Sequence, residues 1–494
     1  MTDSQMRTPQ QRADRGVLWA LIGIGVLLRF WDLGGRSLWL DEVYSVWRAS
    51  LETAQMWQAP DPHPPLYYQL LAPFARLGTE SAVRLPSAMA SASAIGIAAT
   101  LARQVANTQS ALLAAALVAM SPLDIWYAQE ARMYALLGLL VLVSILGAVR
   151  QDRLGVLLAV TALTAAIYVD YLALPLWAGA SGAALACWLD GRRSRRPFLA
   201  WLASSAAVAV AAWPLWPHAA STADYAWSGA YFIQEIRGYM PDAVASLRGR
   251  DVAGIGLAGI AAAAMVATRA FLSSQGSAHR RRRAPVDPAQ PTPSEPQPAT
   301  GAPTAREVGW QVSPAAVILP VVVAIVSALA PIPHLYTLKK FAVAVWPLVL
   351  VACAVWLTAH RQARRWSALL LAVSLSASVT AVLAVEKDDW RALVNFINTA
   401  GPSTRTVVLD QTWDDLPFNH YGPANPPVTS HDPTVLTSLL DREGTLWLVA
   451  HRRLGQPVPS SEIEAWLDAH TRLSHVEHFA RLELRLYAAT QGGR

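Results

Sequence analysis

SPLDIWYAQEARMYALLGLLVLVSILGAVR, residues 121–150, sets two acids, an arginine and two aromatic residues directly against an apolar run from Met133 to Val149 that stops at Arg150. A helix needs about 20 mostly apolar residues to cross the hydrocarbon core, with a range of roughly 17 to 25. The run therefore reads as a transmembrane helix, entered from a short polar loop and closed by a basic residue. Working outward in both directions, comparable runs lie near 17–33, 83–102, 110–123, 154–169, 172–189, 198–215, 251–271, 312–330, 341–357 and 367–385. Together they make eleven spans. The two runs from Gly155 to Leu189 are short, and one long tilted helix is the alternative there.

Composition agrees. Hydrophobic residues make up 53% of the 494-residue chain and charged residues 15%, against about 25% charged in a soluble chain. Net charge is +6, but the positions of the basic residues say more than their sum. With eleven spans, one side collects Arg7, Arg12, Arg15, Arg103, Arg150, Arg153, the GRRSRRP cluster, HRRRR at 279–283 and Arg361, Arg364 and Arg365. By the positive-inside rule that side is cytoplasmic, which places the N-terminus inside and the C-terminus outside. Merging the two short spans would put GRRSRRP and HRRRR on opposite sides, which favours keeping them separate. The first apolar run lacks a small-residue cleavage site and reads as a signal anchor. Cys187 and Cys353 both lie within apolar runs and read as small buried hydrophobes.

Residues 276–306 contain HRRRR and a stretch rich in Pro, Ala and polar residues, and read as a disordered cytoplasmic linker. From Glu386 onward the composition becomes that of a soluble domain. TVVLD (406–410) and TLWLVA (445–450) read as buried strands, PTVLTSLLDRE and SSEIEAWLDAH as helices, and LELRLYA as a last alternating strand. The fold class expected is an α-helical polytopic membrane protein of about eleven transmembrane helices, residues 1–385, with a small C-terminal α/β extracytoplasmic domain, 386–494.

Three external loops carry polar and aromatic residues of the kind that membrane proteins keep for function. The first, 34–82, contains SLWLDEVYSVW (37–47) and DPHPPLYYQLL (61–71). Asp41 and Glu42 sit beside Trp39, Tyr44 and Trp47 near the membrane edge. Apolar surroundings can raise the basicity of an acid and suit it to general-base work; simple interfacial anchoring is the other reading. His63 lies between Pro62, Pro64 and Pro65, whose fixed φ angles stiffen the loop. A preorganised imidazole there can meet phosphate or carry protons, although a lone loop histidine is often inert. In the second loop, Glu130, Arg132 and Tyr134 fall at the start of the entering helix, with Glu130 and Tyr134 four apart on one face. Such charges either bind a ligand or form a structural pair, such as Glu130 with Arg29 or Arg132. The loop before the tenth span, PIPHLYTLKKFAVAVWP, places Lys339 and Lys340 outside, against the charge trend; they suit a lipid phosphate or simply snorkel.

These motifs, taken in order, resemble a known family. W-x-D-E in the first loop, then HPPLYY, YAQEARMYAL, Y-x-L-K-K-F and KDDWRAL (387–393) resemble the series found in bacterial polyprenyl-phosphate-dependent glycosyltransferases of the GT-C superfamily. The branch is that of the protein mannosyltransferases and the aminoarabinose transferase, and the likeness covers most of the chain. It implies a polyprenyl-phosphate sugar donor, an extracytoplasmic acceptor and an active site on the outer face of a bacterial-type inner membrane. It implies Asp41 as the base and Glu130 as the second-loop acid. It also implies Glu42, His63, Arg132, Tyr134, Tyr336, Lys339 and Lys340 as residues around the substrates. Some superfamily members use a divalent metal; the acids here show no strong metal-ligand spacing, so no metal ligand is assigned and metal dependence stays open. No nucleic-acid partner is expected. The competing readings are a transporter or flippase, which would place charges at mid-membrane and show internal repeats, and a non-catalytic membrane scaffold.

Overall fold

The computed structural model describes residues 8–58, 61, 63–150, 152–174, 177, 195–221, 343–360, 367, 370–378, 387–400, 406–423, 427–429, 432–451 and 461–489. The spans expected near 251–271 and 312–330, most of 172–189, the linker 276–306, Tyr336, Lys339 and Lys340 lie outside the described residues.

The membrane domain opens with α1 (Pro9–Phe30), started by a capping box in which Thr8 and Gln11 bond reciprocally and Pro9 takes the first helical position. The first loop, expected from its aromatics and prolines as an external segment, folds into three helices: α2 (Leu40–Ser50), α3 (Thr53–Gln58) and α4 (Leu66–Ala75). Then come α5 (Glu80–Val105), α6 (Thr108–Ala119), α7 (Pro122–Ala128), α8 (Tyr134–Arg150), α9 (Arg153–Val169), α10 (Arg195–Ala212), α11 (Trp216–Ser221) and α12 (Trp346–Ala359). The core is built on α5, whose Ala94, Ala98 and Ala102 are buried in one cluster with Ala111, Ala114 and Ala115 of α6. α8 and α9 pack closer still. A Cβ on Gly147 would meet the Gly155 carbonyl oxygen at 2.5 Å, so only glycine allows the two backbones to approach this far.

Trp19 and Leu27 of α1, Leu154 and Leu157 of α9, and Leu202 and Val210 of α10 are exposed. Large apolar groups facing outward from a packed helical core suit a lipid surround, and support the membrane reading. Among the described residues α5 is the one helix that is by length and composition long and apolar enough to cross a bilayer; α6 with α7 pass together, bent by 54°, and α8, α9 and α12 are apolar but shorter. The described residues therefore do not by themselves make eleven spans. The run expected as one span over 110–123 breaks after Ala119 because Ser121 caps a new helix through the Asp124 amide and Pro122 occupies its first position. Proline has no N–H to continue the preceding ladder and biases the residue before it away from helix. The helix expected over 154–169 does end there: Asp170 closes α9 in extended geometry (φ −159°, ψ 137°), so α9 does not run on as one long helix.

The C-terminal domain begins with α13 (Trp390–Ala400), followed by β1 (Val407–Leu409), α14 (Asp415–His420), α15 (Pro433–Glu443), β2 (Thr445–His451), α16 (Glu462–His470), β3 (Thr471–Phe479) and β4 (Leu482–Ala489). The sheet order is β1-β2-β4-β3, with β1 and β2 parallel and the other pairs antiparallel. Successive β2 residues face opposite layers: Trp447 and Val449 join Trp390 and Leu393 of α13, while Leu446, Leu448 and Ala450 join Leu436 of α15 and Leu467 of α16. Cover on both faces explains why TLWLVA reads as a continuous apolar run. The strands and helices expected from the sequence are present. β3, α13 and α14 were not expected. β3 is an edge strand whose alternation is interrupted by a register shift between Leu473 and His475, so its period-two signal is lost.

At the carboxyl end of β2, His451 Nε2 lies 2.8 Å from the Asp414 carboxylate. Burial alone would lower the His451 imidazole, but Asp414 outweighs it and the value is raised; burial likewise raises Asp414. His451 holds its proton more tightly folded than unfolded, so its contribution is complete below the ordinary histidine value of about 6.5 and is lost as pH rises through the raised one. Hydrogen exchange at the β2 amides should accelerate with pH beyond its intrinsic pH dependence in wild type, and this extra acceleration should vanish in His451→Gln.

Candidate active site at the junction of the two domains

Site construction starts from a buried ion pair. Glu42, in the first turn of α2, and Arg84, on α5, are both buried. Arg84 Nε donates to Oε1 at 2.7 Å and Nη2 to Oε2 at 2.8 Å. The remaining Arg84 donors reach the carbonyls of Leu33 and Arg36, each at 2.9 Å, and Ser37 at 3.0 Å. A guanidinium fork matches a carboxylate in two parallel bonds, and its other N–H groups gather the chain that leads into α2. Glu42 also accepts from the Ala131 amide at 2.9 Å and from Lys387 Nζ at 3.2 Å. One carboxylate thus ties together the first loop, the second loop, α5 and the root of the C-terminal domain. Burial would raise the Glu42 carboxyl, but Arg84 and Lys387 hold it well below the usual carboxylate range.

Glu130 is also fully buried, and among the described residues neither carboxylate oxygen has a hydrogen-bond partner. Its near charge is Lys387 Nζ at 3.9 Å, rather than the Arg29 or Arg132 expected from the sequence. Arg29 instead donates to Ser91 and to the Val118 and Ala119 carbonyls at the end of α6, where a cation meets the negative helix terminus. Glu130 does not share a helical face with Tyr134, because α8 begins at Tyr134 and residues 129–133 form a tight connection with the Arg132 amide bonded to the Glu130 carbonyl at 2.8 Å. Burial raises the Glu130 carboxyl. Burial also lowers Lys387, which bonds the Gln129 carbonyl at 3.1 Å and lies 5.5 Å from the Trp126 ring centroid.

A second group of side chains gathers around Arg132, with Asp41 and His63 partly open. Asp41, with its side chain 26% exposed, stands 3.8 Å from Arg132 Nη2. Arg132 Nη1 also donates to the Asp41 carbonyl and to Ser45 Oγ, each at 3.3 Å, and Nη2 lies 3.3 Å from His63 Nε2. His63 Nδ1 is 3.1 Å from Asp170 at the end of α9. The Tyr134 ring stands edge-to-face to His63 and 5.7 Å from the Arg132 guanidinium. Behind His63, Asp61 accepts from the His63 amide and pairs with buried Arg48 at 3.0 Å. The proline-bounded loop is therefore held by charge as well as by its fixed φ angles.

Of the residues expected from the sequence, Asp41, His63, Arg132 and Tyr134 meet at one place. Glu42 and Glu130 are buried. Arg84, Lys387, Asp61, Arg48 and Asp170 complete the network and were not expected as site residues; Lys387 stood in KDDWRAL, directly after the last apolar run, as a signal. Among the described residues no group of three or more His, Cys, Asp and Glu side chains is placed to hold a metal ion.

Fold and site together define a helical, membrane-type domain and a C-terminal α/β domain, joined over a charged site that is part buried and part open. No family model matches the sequence, and no curated protein matches it. Among solved structures, ArnT from Cupriavidus metallidurans in the apo state is similar, with a TM-score of 0.45 and 13% identity over 98% of this chain and 100% of that one. The same protein bound to undecaprenyl phosphate gives 0.42 and 13%, over 97% and 99%. The archaeal oligosaccharyltransferase AglB from Archaeoglobus fulgidus, in complex with an inhibitory peptide and a dolichol-phosphate, gives 0.49 and 12%, over 90% and 70%.

Proposed function

We propose that the chain is a membrane glycosyltransferase that moves a single sugar from a polyprenyl-phosphate carrier to an extracytoplasmic acceptor, with Asp41 as general base. The observation that supports it most is the meeting of the first and second loops at Arg132, which touches Asp41 and Ser45 of α2 and His63 of the proline-bounded turn.

In this reading the acceptor hydroxyl or amine attacks the anomeric carbon as Asp41 takes its proton. The bond from that carbon to the phosphate oxygen breaks, and the lipid phosphate leaves with the electron pair. Positioning and charge stabilisation do most of such work. Arg132 supplies a fixed cation beside the base, and Tyr134 packs against both Arg132 and His63. Lys339, Lys340 and Tyr336 are proposed for the lipid phosphate on sequence grounds. Glu130, expected as a catalytic acid, and Glu42, expected at the substrates, are both fully buried; their proposed part is to hold the floor of the site through Arg84 and Lys387. The C-terminal domain, rooted at Lys387, is proposed to help choose the acceptor.

The test is transfer by the purified protein in lipid, offered radiolabelled polyprenyl-phosphate sugars with envelope acceptors. Label should move in the wild type, and Arg132→Gln should lower the rate by about 10²-fold or more. Neither transfer nor donor hydrolysis from any carrier would favour the transporter or scaffold instead.

A further inference from the structure

The His63 ring is fixed at both nitrogens and along its edge. Arg132 carries only donors, so the contact at 3.3 Å requires a lone pair on His63 Nε2. The proton of a neutral imidazole then sits on Nδ1, where Asp170 Oδ2 accepts it at 3.1 Å. Asp170 is itself held. It closes α9 in extended geometry, it is 3% exposed, and its Oδ1 accepts the Leu172 amide at 2.8 Å. Each Asp170 oxygen therefore has its own donor.

We propose that Asp170 is a positioning residue that sets the His63 tautomer, so that Nε2 receives Arg132 and Arg132 stays beside Asp41. A carboxylate that selects an imidazole tautomer is a known device in catalysis, and here the oriented imidazole in turn orients an arginine. The proposal rests on the transferase reading for its effect on rate, while the tautomer can be read without any substrate.

Asp170→Asn separates the two jobs of the side chain. The amide oxygen stays with the Leu172 N–H, because an amide nitrogen cannot accept it, so the helix end is kept. The amide NH₂ then faces His63 Nδ1 and donates to it. That reverses the tautomer and turns an N–H at Nε2 towards the donors of Arg132. Nitrogen-15 spectra of histidine-labelled protein in nanodiscs, with His63 assigned by its absence in His63→Gln, should show Nδ1–H in wild type and Nε2–H in Asp170→Asn. Thermal unfolding should barely change, and kcat for transfer should drop roughly 10–100-fold with a smaller change in KM. The side chain of His63→Gln can offer Arg132 an acceptor without help from Asp170, so adding Asp170→Asn to it should cost little more. An unchanged tautomer in Asp170→Asn, a reversed tautomer with full activity, or additive losses in the double variant would overturn the proposal. A wild type with the expected tautomer and no transfer on any donor would overturn the transferase reading, leaving the Asp170–His63 geometry standing and its effect on transfer refuted.

Discussion

Asp41→Asn should fold like wild type and transfer sugar about 10²–10⁴-fold more slowly, the range for loss of a general base. Asparagine matches aspartate in shape but cannot take the proton of an attacking hydroxyl. The scaffold does not depend on the lost charge: Arg132 also bonds the Asp41 main-chain carbonyl and Ser45, while α2 is held by the neighbouring Glu42. Asp41 is also the acid of this cluster with a partly open side chain, where Glu42 and Glu130 have none. Initial rates alongside thermal unfolding make the check. Activity that survives with folding intact would remove Asp41 as the base and leave the transferase reading in place.

Arg84→Ala should show the opposite pattern, a loss of folded protein before any question of rate. The substitution removes both bonds to a buried carboxylate and three bonds to the carbonyls of Leu33, Arg36 and Ser37. Breaking a buried pair by removing one partner typically costs about 3–5 kcal/mol, since the other charge stays desolvated. Lys387 remains near Glu42 and offsets part of this, but burial has already weakened its hold on a proton. Replacing both members, Arg84→Met with Glu42→Met, should recover some of the loss, because well-packed apolar groups do not need pairing. Melting curves in detergent for the three proteins decide the matter. An Arg84→Ala protein as stable as wild type would mean that the pair does not hold the first loop in place.

Much of this architecture was legible. Acids, arginines and aromatics at the edges of apolar runs drew attention to Asp41, His63, Arg132 and Tyr134, because charge beside a membrane is costly without a partner or a use. The helix break at Ser121–Pro122 was written in the sequence too, as a cap followed by a first-turn proline, though apolar content alone ran the span through it. Arg84 and Lys387 were harder to read. Their partner Glu42 lies 42 and 345 positions away, and no local pattern marks such a pairing.

The apolar helices among the described residues and most of the C-terminal sheet were readable from sequence alone. These follow from local rules: backbone in lipid must satisfy its own hydrogen bonds, and a strand buried on both faces must be apolar throughout. Only the tertiary structure decided which acids are buried and which cation each one meets. A buried charge takes the partner that packing brings within reach, and that packing sums contacts from α2, α5, the second loop and the root of the C-terminal domain at once.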